Sequence, residues 1–269
     1  GEALPMTLSI ITATYNSADT LTDTLESVLA QTFTDYELII VDGQSTDGTL
    51  EIIQRYAPRF EGRLRVVSEP DQGIYDAMNK GIRMCRGEVV GLLNSDDFYT
   101  SPHVLATLAK TIEDSRVDAV YGDVHYVAPN DVSKMVRYYS SRPFRPWMMR
   151  LGFMPAHPSF YCRREVYQQY GLFDTQYKVA ADFEQLLRLI FIHRITTAYV
   201  PLDCVTMRVG GASSSGLQSH RRILSDHLRA FRQHHVYTNV FLLSLRYLYK
   251  MTECLTTRSK SVFRTRQRL

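Results

Sequence analysis

The 269-residue sequence has no uninterrupted apolar run near the roughly 20 residues that a bilayer-spanning helix needs. It has four widely separated cysteines, Cys85, Cys162, Cys204 and Cys254, with no CxxC and no Cys/His ligand spacing. That argues against a cysteine metal site and predicts free thiols in a reducing compartment. No basic n-region precedes Met6-Thr7-Leu8-Ser9-Ile10-Ile11, which runs straight into a strand pattern, so no signal peptide is expected. A Gly-x-Ser-x-Gly elbow is absent, as is a Cys/His pair suited to nucleophilic catalysis. The recognised nucleic-acid-reading motifs are missing too, which argues against nucleic acid as a partner.

What remains is an ordinary globular composition: 45% hydrophobic, 22% charged and 14 glycines. The length suits one large α/β domain with appendages. The net charge of +3 is unevenly placed. From Arg246 onward seven basic residues face only Glu253, a net +6 that leaves the rest of the chain at −3.

Residues 7–12 read as a strand, and Leu21, Leu25, Val28 and Leu29 follow at the spacing of one buried helical face. The strand Tyr36–Val41 ends at Asp42-Gly43-Gln44-Ser45, and a helix bearing Leu50, Ile53 and Tyr56 follows. Leu64–Val67 is a third strand, Ile74–Arg83 a helix, and Val89–Leu93 a fourth strand. Such alternation predicts a parallel βαβ sheet for residues 7–97. After a helix over Val104–Ile112, Ala119-Val120-Tyr121 predicts a strand ending at Gly122-Asp123. Asp42, Asp71, Asp96 and Asp123 thus fall near successive strand ends, as if lining one polar crevice. Further on, Val132–Val136 suggests a hairpin, His157–Tyr161 a strand, and Ala180–Glu184 the start of a helix.

Asn94-Ser95-Asp96-Asp97 carries the most chemistry. An open α/β sheet binds ligands where its strands end, and adjacent carboxylates there need a compensating partner. Mg²⁺ or Mn²⁺ would supply one, taking oxygens from one or two Asp residues and from substrate phosphates. Ser-Asp-Asp equally suits a turn or helix cap.

In their order these motifs resemble the inverting glycosyltransferases of family 2, which have the GT-A fold. The matching pieces are Ser9–Asn16, Ser27–Phe33, Ile40–Thr49, Glu69–Gly81 and Gly87–Asp97. The resemblance covers about residues 7–200. It implies an α/β, Rossmann-like mixed sheet flanked by helices, a nucleotide diphosphate sugar transferase. A catalytic domain is expected over 1–215, with a nucleotide-sugar half at 7–123 and an acceptor half at 124–215. A helical, basic extension is expected over 216–269.

The resemblance places Thr14, Asn16 and Asp42 at the nucleotide end of a UDP-sugar site, and Asp71 and Lys80 near the base and ribose. Gly43 stands where many members carry a second acidic residue that contacts uracil. Asn94 replaces the first Asp of the usual Asp-x-Asp and can still hydrogen-bond a ribose hydroxyl. Cation binding, as Mn²⁺ or Mg²⁺, is left to Asp96, Asp97 or both. Asp182 matches the family's general base, which takes the acceptor hydroxyl's proton; a helix cap is its plainer reading. His157 could reach phosphates, metal or acceptor, or simply pack. Arg208-Val209-Gly210-Gly211-Ala212-Ser213-Ser214-Ser215-Gly216, with His220, Arg221 and Arg222 beyond, suggests a lid that excludes water.

The apolar group Tyr237–Tyr249 followed by basic residues is similar to an interfacial helix, so residues 236–269 are expected to meet an anionic membrane surface. Packing on the catalytic domain, or a homodimer interface, is the alternative. Together with the resemblance, this implies a peripheral protein on the inner face of a bacterial plasma membrane. Its acceptor would be a polyprenyl-diphosphate-linked saccharide of O-antigen or exopolysaccharide assembly, and its donor a UDP-hexose. A nucleotidyltransferase and a catalytically silent nucleotide-sugar-binding scaffold are the competing functions.

Overall fold

A computed structural model describes residues 6–210 and 217–266, with side chains described as far as Glu253 except for Leu217. Most of the expected lid, residues 211–216, lies outside the described residues. The first half alternates as the periodicity predicts: β1 (Leu8–Thr14), α1 (Leu21–Leu29), β2 (Tyr36–Asp42), α2 (Thr49–Tyr56), β3 (Leu64–Ser68), α3 (Ile74–Met84) and β4 (Val89–Leu92). β1 pairs in parallel with β2 and β4, and β2 with β3. Leu8, Ile10, Leu38 and Ile40 enter one core, while Ile11, Ile39 and Val41 enter the core on the opposite face. Burial on both faces explains why these strands are nearly continuous apolar runs.

The second half comprises β5 (Phe98–Tyr99), α4 (Val104–Ser115), β6 (Ala119–Ala128), β7 (Asp131–Tyr139), β8 (Tyr161–Arg163), α5 (Arg164–Tyr170), α6 (Ala181–Leu186), β9 (Thr197–Arg208), α7 (Leu217–Gln233) and α8 (Val240–Arg266). Here the sheet becomes mixed. β8 runs antiparallel between β4 and β6, β9 pairs in parallel with β6, and β5 is antiparallel to β9. The order is β3-β2-β1-β4-β8-β6-β9-β5, with the expected hairpin strand β7 beside β6. Gly91 permits the β4–β8 crossing, since a Cβ there would lie 2.0 Å from the buried Tyr161 ring.

Two elements differ from the sequence expectation. His157-Pro158-Ser159 is a 3₁₀ turn, and the strand begins only at Tyr161; Pro158 has no N–H to give a ladder. β6 does not stop at Asp123 but continues to Ala128, paired with both β7 and β9. Asp123 is therefore inside a strand, where it accepts hydrogen bonds from Tyr138 (2.7 Å), Tyr199 (2.9 Å), Ser140 (3.1 Å) and the Ser141 amide (2.9 Å). It holds the hairpin and leaves the crevice to the other acids.

α7 and α8 share a core with the sheet: Ala230, Phe231, Val236 and Leu243 are buried among residues of α3, α5 and α6. No helix among the described residues is long and apolar enough to cross a membrane. Cys85, Cys162 and Cys204 are buried free thiols, and burial pushes Cys85 up to about 12.

Candidate functional site

The C-terminal ends of β1, β2 and β3 are knotted by Asp42. Its carboxylate is fully buried and accepts hydrogen bonds from Thr14 Oγ1 (2.7 Å), Ser45 Oγ (2.6 Å), the Ser45 amide (2.9 Å) and Ser68 Oγ (2.8 Å). Burial alone would raise its pKa; the Ser45, Thr14 and Ser68 bonds outweigh it and hold the carboxyl below its usual range. Asn16 adopts a left-handed φ of 48°, a conformation Asn tolerates well. Its Oδ1 accepts the amides of Thr46 (2.8 Å) and Asp47 (3.3 Å). Thr14, Asn16 and Asp42 are thus brought together, with these groups spent on joining the loops after β1 and β2.

Next to this knot, Tyr15, Gly43, Gln44, Pro70, Asp71 and Gly73 line an open cleft. The Tyr15 ring is 67% exposed at its edge. Asp71 Oδ1 takes the Gly73 amide at 3.0 Å. Its Oδ2 occupies side-chain space at position 43, because a Cβ on Gly43 would lie 2.6 Å from it. Lys80 fastens the loop from behind: Nζ donates to the Pro70 carbonyl (2.8 Å) and pairs with Glu69 (3.2 Å) and Asp76 (3.7 Å). Asp71 therefore faces the cleft, and Lys80 holds the loop that presents it.

The Asn94–Asp97 turn follows β4 and is tethered from one face of α1 and the loop before it. Ser17 meets the Ser95 hydroxyl at 2.8 Å, Thr20 donates to the Ser95 carbonyl at 2.8 Å, and Thr24 donates to the Asp97 carbonyl at 2.6 Å. On the other side Arg208, at the end of β9, donates to the Asp96 carbonyl and pairs with Asp23. The antiparallel pairing of Phe98 with Thr206 brings Arg208 there. Asp97 is 2% exposed. Burial first, then the charge of Asp96 and a hydrogen bond shared with it, push the Asp97 carboxyl well above its usual range. Asp96 is half-buried and is the carboxylate of the turn with access to solvent.

Among the described residues no three His, Cys, Asp or Glu side chains converge as a closed metal cage. The partly exposed Asp96 carboxylate nevertheless fits a hard divalent cation that draws its other oxygens from phosphates and water.

Asp182 stands in the first turn of α6, whose N-cap is Ala180. It is not the N-cap residue, yet its Oδ1 accepts the first-turn amide of Phe183 at 2.8 Å, and Tyr75 Oη approaches the same oxygen at 3.5 Å. Tyr75 also donates to the Val179 carbonyl at 2.8 Å. Since Gly73 lines the cleft and Tyr75 touches Asp182, the first turn of α3 connects the two. His157 is buried between Phe160 and Phe173, its Nε2 3.4 Å from Gln185 Oε1. Burial lowers its pKa against the opposing pull of Asp182. Its ring is engaged in packing, away from the open cleft.

Sequence reasoning assigned no site role to Tyr75, Thr20 or Thr24 and read Arg208 as part of a lid. Thr20 and Thr24 lie one turn apart with Ser17 a turn earlier, a polar stripe on an otherwise buried face. That spacing was the available signal.

The glycosyl transferase family 2 profile matches residues 9–171. A PGL/p-HBAD biosynthesis glycosyltransferase of Mycobacterium tuberculosis is 34% identical over 199 residues, 74% of this chain and 75% of that protein. Among solved structures, Staphylococcus aureus TarS 1–349 in complex with UDP-GlcNAc superimposes with a TM-score of 0.64 at 20% identity, over 82% of this chain and 66% of that one. The mannosyltransferase PcManGT from Pyrobaculum calidifontis, in complex with GDP-Man and Mn²⁺, gives 0.61 at 23% identity, over 84% of this chain and 63% of that one. This chain thus spans just under two thirds of either solved neighbour. These likenesses carry the GT-A fold, and the sequence matches carry the family: the chain is a glycosyltransferase enzyme belonging to glycosyl transferase family 2.

Proposed function

We propose that the protein transfers a hexose, with inversion, from a UDP-linked donor to a saccharide hydroxyl on a lipid-linked acceptor in bacterial cell-surface polysaccharide assembly. The observation that carries this reading is the continuity of α3. Gly73 at the nucleotide cleft and Tyr75 against Asp182 set donor and base on the two sides of one helix start.

In this reading Tyr15 stacks on the base and Asp71 Oδ2 accepts a base or ribose donor. Asp96 would hold Mn²⁺ or Mg²⁺, which when bound supplies positive charge to the leaving diphosphate, and Asn94 would bond a ribose hydroxyl. Asp97, hydrogen-bonded to Asp96, orients it. Asp182 takes the proton of the acceptor hydroxyl as that oxygen attacks the anomeric carbon. One displacement suffices, so no enzyme nucleophile is needed. Thr14, Asn16, Asp42, Lys80 and His157 then serve the site by holding its loops and helix.

Support for a lipid-borne acceptor comes from α8. Val240, Phe241, Leu248 and Met251 recur at helical spacing and are all exposed. Such a face, ahead of a basic sequence, suits an anionic bilayer at the inner surface of the plasma membrane.

The test is thermal unfolding against UDP-glucose, UDP-galactose, UDP-GlcNAc and GDP-mannose, each with and without Mn²⁺. A native-state ligand at 100 times its Kd adds about 2.7 kcal/mol of stability. Mn²⁺-dependent protection by a UDP-sugar is expected, and protection by GDP-mannose alone would overturn the donor assignment. Asp182→Asn should keep that protection and lose turnover.

A further inference from the structure

We infer that Asp226, on α7, is a positioning residue for Asp182, so that the C-terminal helices complete the active site. The inference rests on Asp182 being the base. Asp226 Oδ2 accepts two consecutive backbone amides, Val179 at 3.1 Å and Ala180 at 3.0 Å. These residues end the irregular stretch between α5 and α6, and Asp182 follows directly in the first turn of α6. Tyr75 holds the opposite side of the same peptide region through the Val179 carbonyl at 2.8 Å. Residue 179 is therefore clamped at its N–H from α7 and at its C=O from α3.

The first part of the stretch is anchored by Asn79, which bonds both backbone groups of Phe173 at 2.9 Å, and by buried Tyr177; its last residues depend on Asp226 and Tyr75. Lacking regular pairing, its backbone groups need partners from elsewhere. Besides the two amides on Asp226, α7 supplies one for the Gln176 carbonyl, which accepts from Arg229 Nη1 at 3.3 Å; side-chain bonds from Arg229 to Gln176 Oε1 at 2.6 Å and from Tyr177 to Gln233 Oε1 at 2.5 Å add to the hold. Just past α7, His234 meets Glu184 Oε1 at 2.9 Å, and Glu184 also pairs with Arg188 at 3.0 Å. α6 is thus held by the C-terminal segment at its start and at Glu184 in its middle. The consequence is chemical: a base displaced by about 1 Å costs on the order of 100-fold in rate without weakening donor binding.

The experiment compares Asp226→Ala, Asp226→Asn, Tyr75→Phe and Asp182→Asn. Nucleotide release is followed from UDP-glucose, UDP-galactose, UDP-GlcNAc and GDP-mannose with Mn²⁺, using the donor the wild type turns over fastest. UDP affinity is measured by calorimetry. Asp226→Ala is expected to lower kcat at least 10-fold with the UDP Kd within about twofold of wild type. Asn keeps one carbonyl oxygen able to take both amides, so Asp226→Asn should recover most of kcat. Hydrogen exchange should show the Val179 and Ala180 amides protected in wild type and Asp226→Asn.

Wild-type kcat in Asp226→Ala, or no recovery in Asp226→Asn, would overturn the positioning role. If Asp226→Ala does not fold, Tyr75→Phe removes the other half of the clamp and must show the same kcat loss at unchanged UDP affinity. Retained kcat there would equally overturn it. Should Asp182→Asn keep its turnover, the base assignment fails and the positioning role falls with it. Should Asp182→Asn lose turnover while Asp226→Ala keeps it, only the role of Asp226 fails.

Discussion

The Asp71 carboxylate fills the place of a side chain at position 43: a Cβ on Gly43 would sit 2.6 Å from Oδ2 and 3.2 Å from Cγ. The acid lining this cleft therefore comes from the β3–α3 loop, and Gly43 is what admits it. Gly43→Ala should push Asp71 aside and weaken UDP binding about 10-fold, or about 1.4 kcal/mol. Gly43→Asp adds like-charge repulsion and should weaken it further. Calorimetric titration with UDP checks both, and unchanged affinity in Gly43→Asp would show that the Asp71 position does not matter.

In the proposed reading the two carboxyls of the Asn94–Asp97 turn have separate duties. Asp96→Ala should abolish the Mn²⁺ dependence of UDP binding. Asp97→Asn should be mild, because an amide N–H can keep the hydrogen bond to Asp96. Asp97→Ala removes that bond and leaves a cavity, and should fall between the two. Titrating UDP at fixed Mn²⁺ ranks the three. A null effect of Asp96→Ala beside a large one of Asp97→Asn would reverse the assignment.

The ends of β1 to β4, their alternation with helices and the cleft loop were legible because apolar runs and turn residues are local signals. What each acid does was not. Asp42 is neutralised as a ligand by Ser68, 26 residues on, and Asp123 by Tyr199, 76 residues on. Such partners depend on strand pairing that no periodicity reveals. The same holds for Arg208, placed beside Asp96 by β9 pairing with β5, and for Asp226, which closes on Val179 from a separate helix. The tail's apolar residues were read as one group, whereas the helix divides them between two faces.

Two buried histidines give stability a pH dependence. Burial lowers His157, and it lowers His227 much further, helped by Arg246 and Lys250. The unfolded chain therefore binds protons near pH 6.5 that the folded chain refuses. Stability should fall as pH drops below about 6.5, by at most about 1.4 kcal/mol per pH unit for each histidine. His227 stacks on Phe183 at 4.0 Å, so His227→Gln should lose stability at pH 7.5 yet show a shallower decline towards pH 5.5. Urea unfolding at the two pH values measures this. An unchanged slope would remove His227 from the account.

The two faces of α8 predict opposite behaviour. Leu243 is 3% exposed and Arg246 donates to the Gly152 carbonyl at 3.1 Å, whereas Phe241 is 71% exposed. Leu243→Ala should cost about 2–5 kcal/mol of folding stability. Phe241→Ser and Leu248→Ser should change stability by less than about 0.5 kcal/mol and instead weaken sedimentation with phosphatidylglycerol vesicles. Ending the chain after Glu253 removes Arg258, Lys260, Arg264, Arg266 and Arg268, each worth about 1 kcal/mol at an anionic surface, and should release the protein while leaving its fold. Removing 236–269 entire takes buried Val236 and Leu243 with it and should unfold the region around α6. If the serine variants alter the oligomeric state and leave vesicle binding intact, the exposed face serves a second copy of the chain.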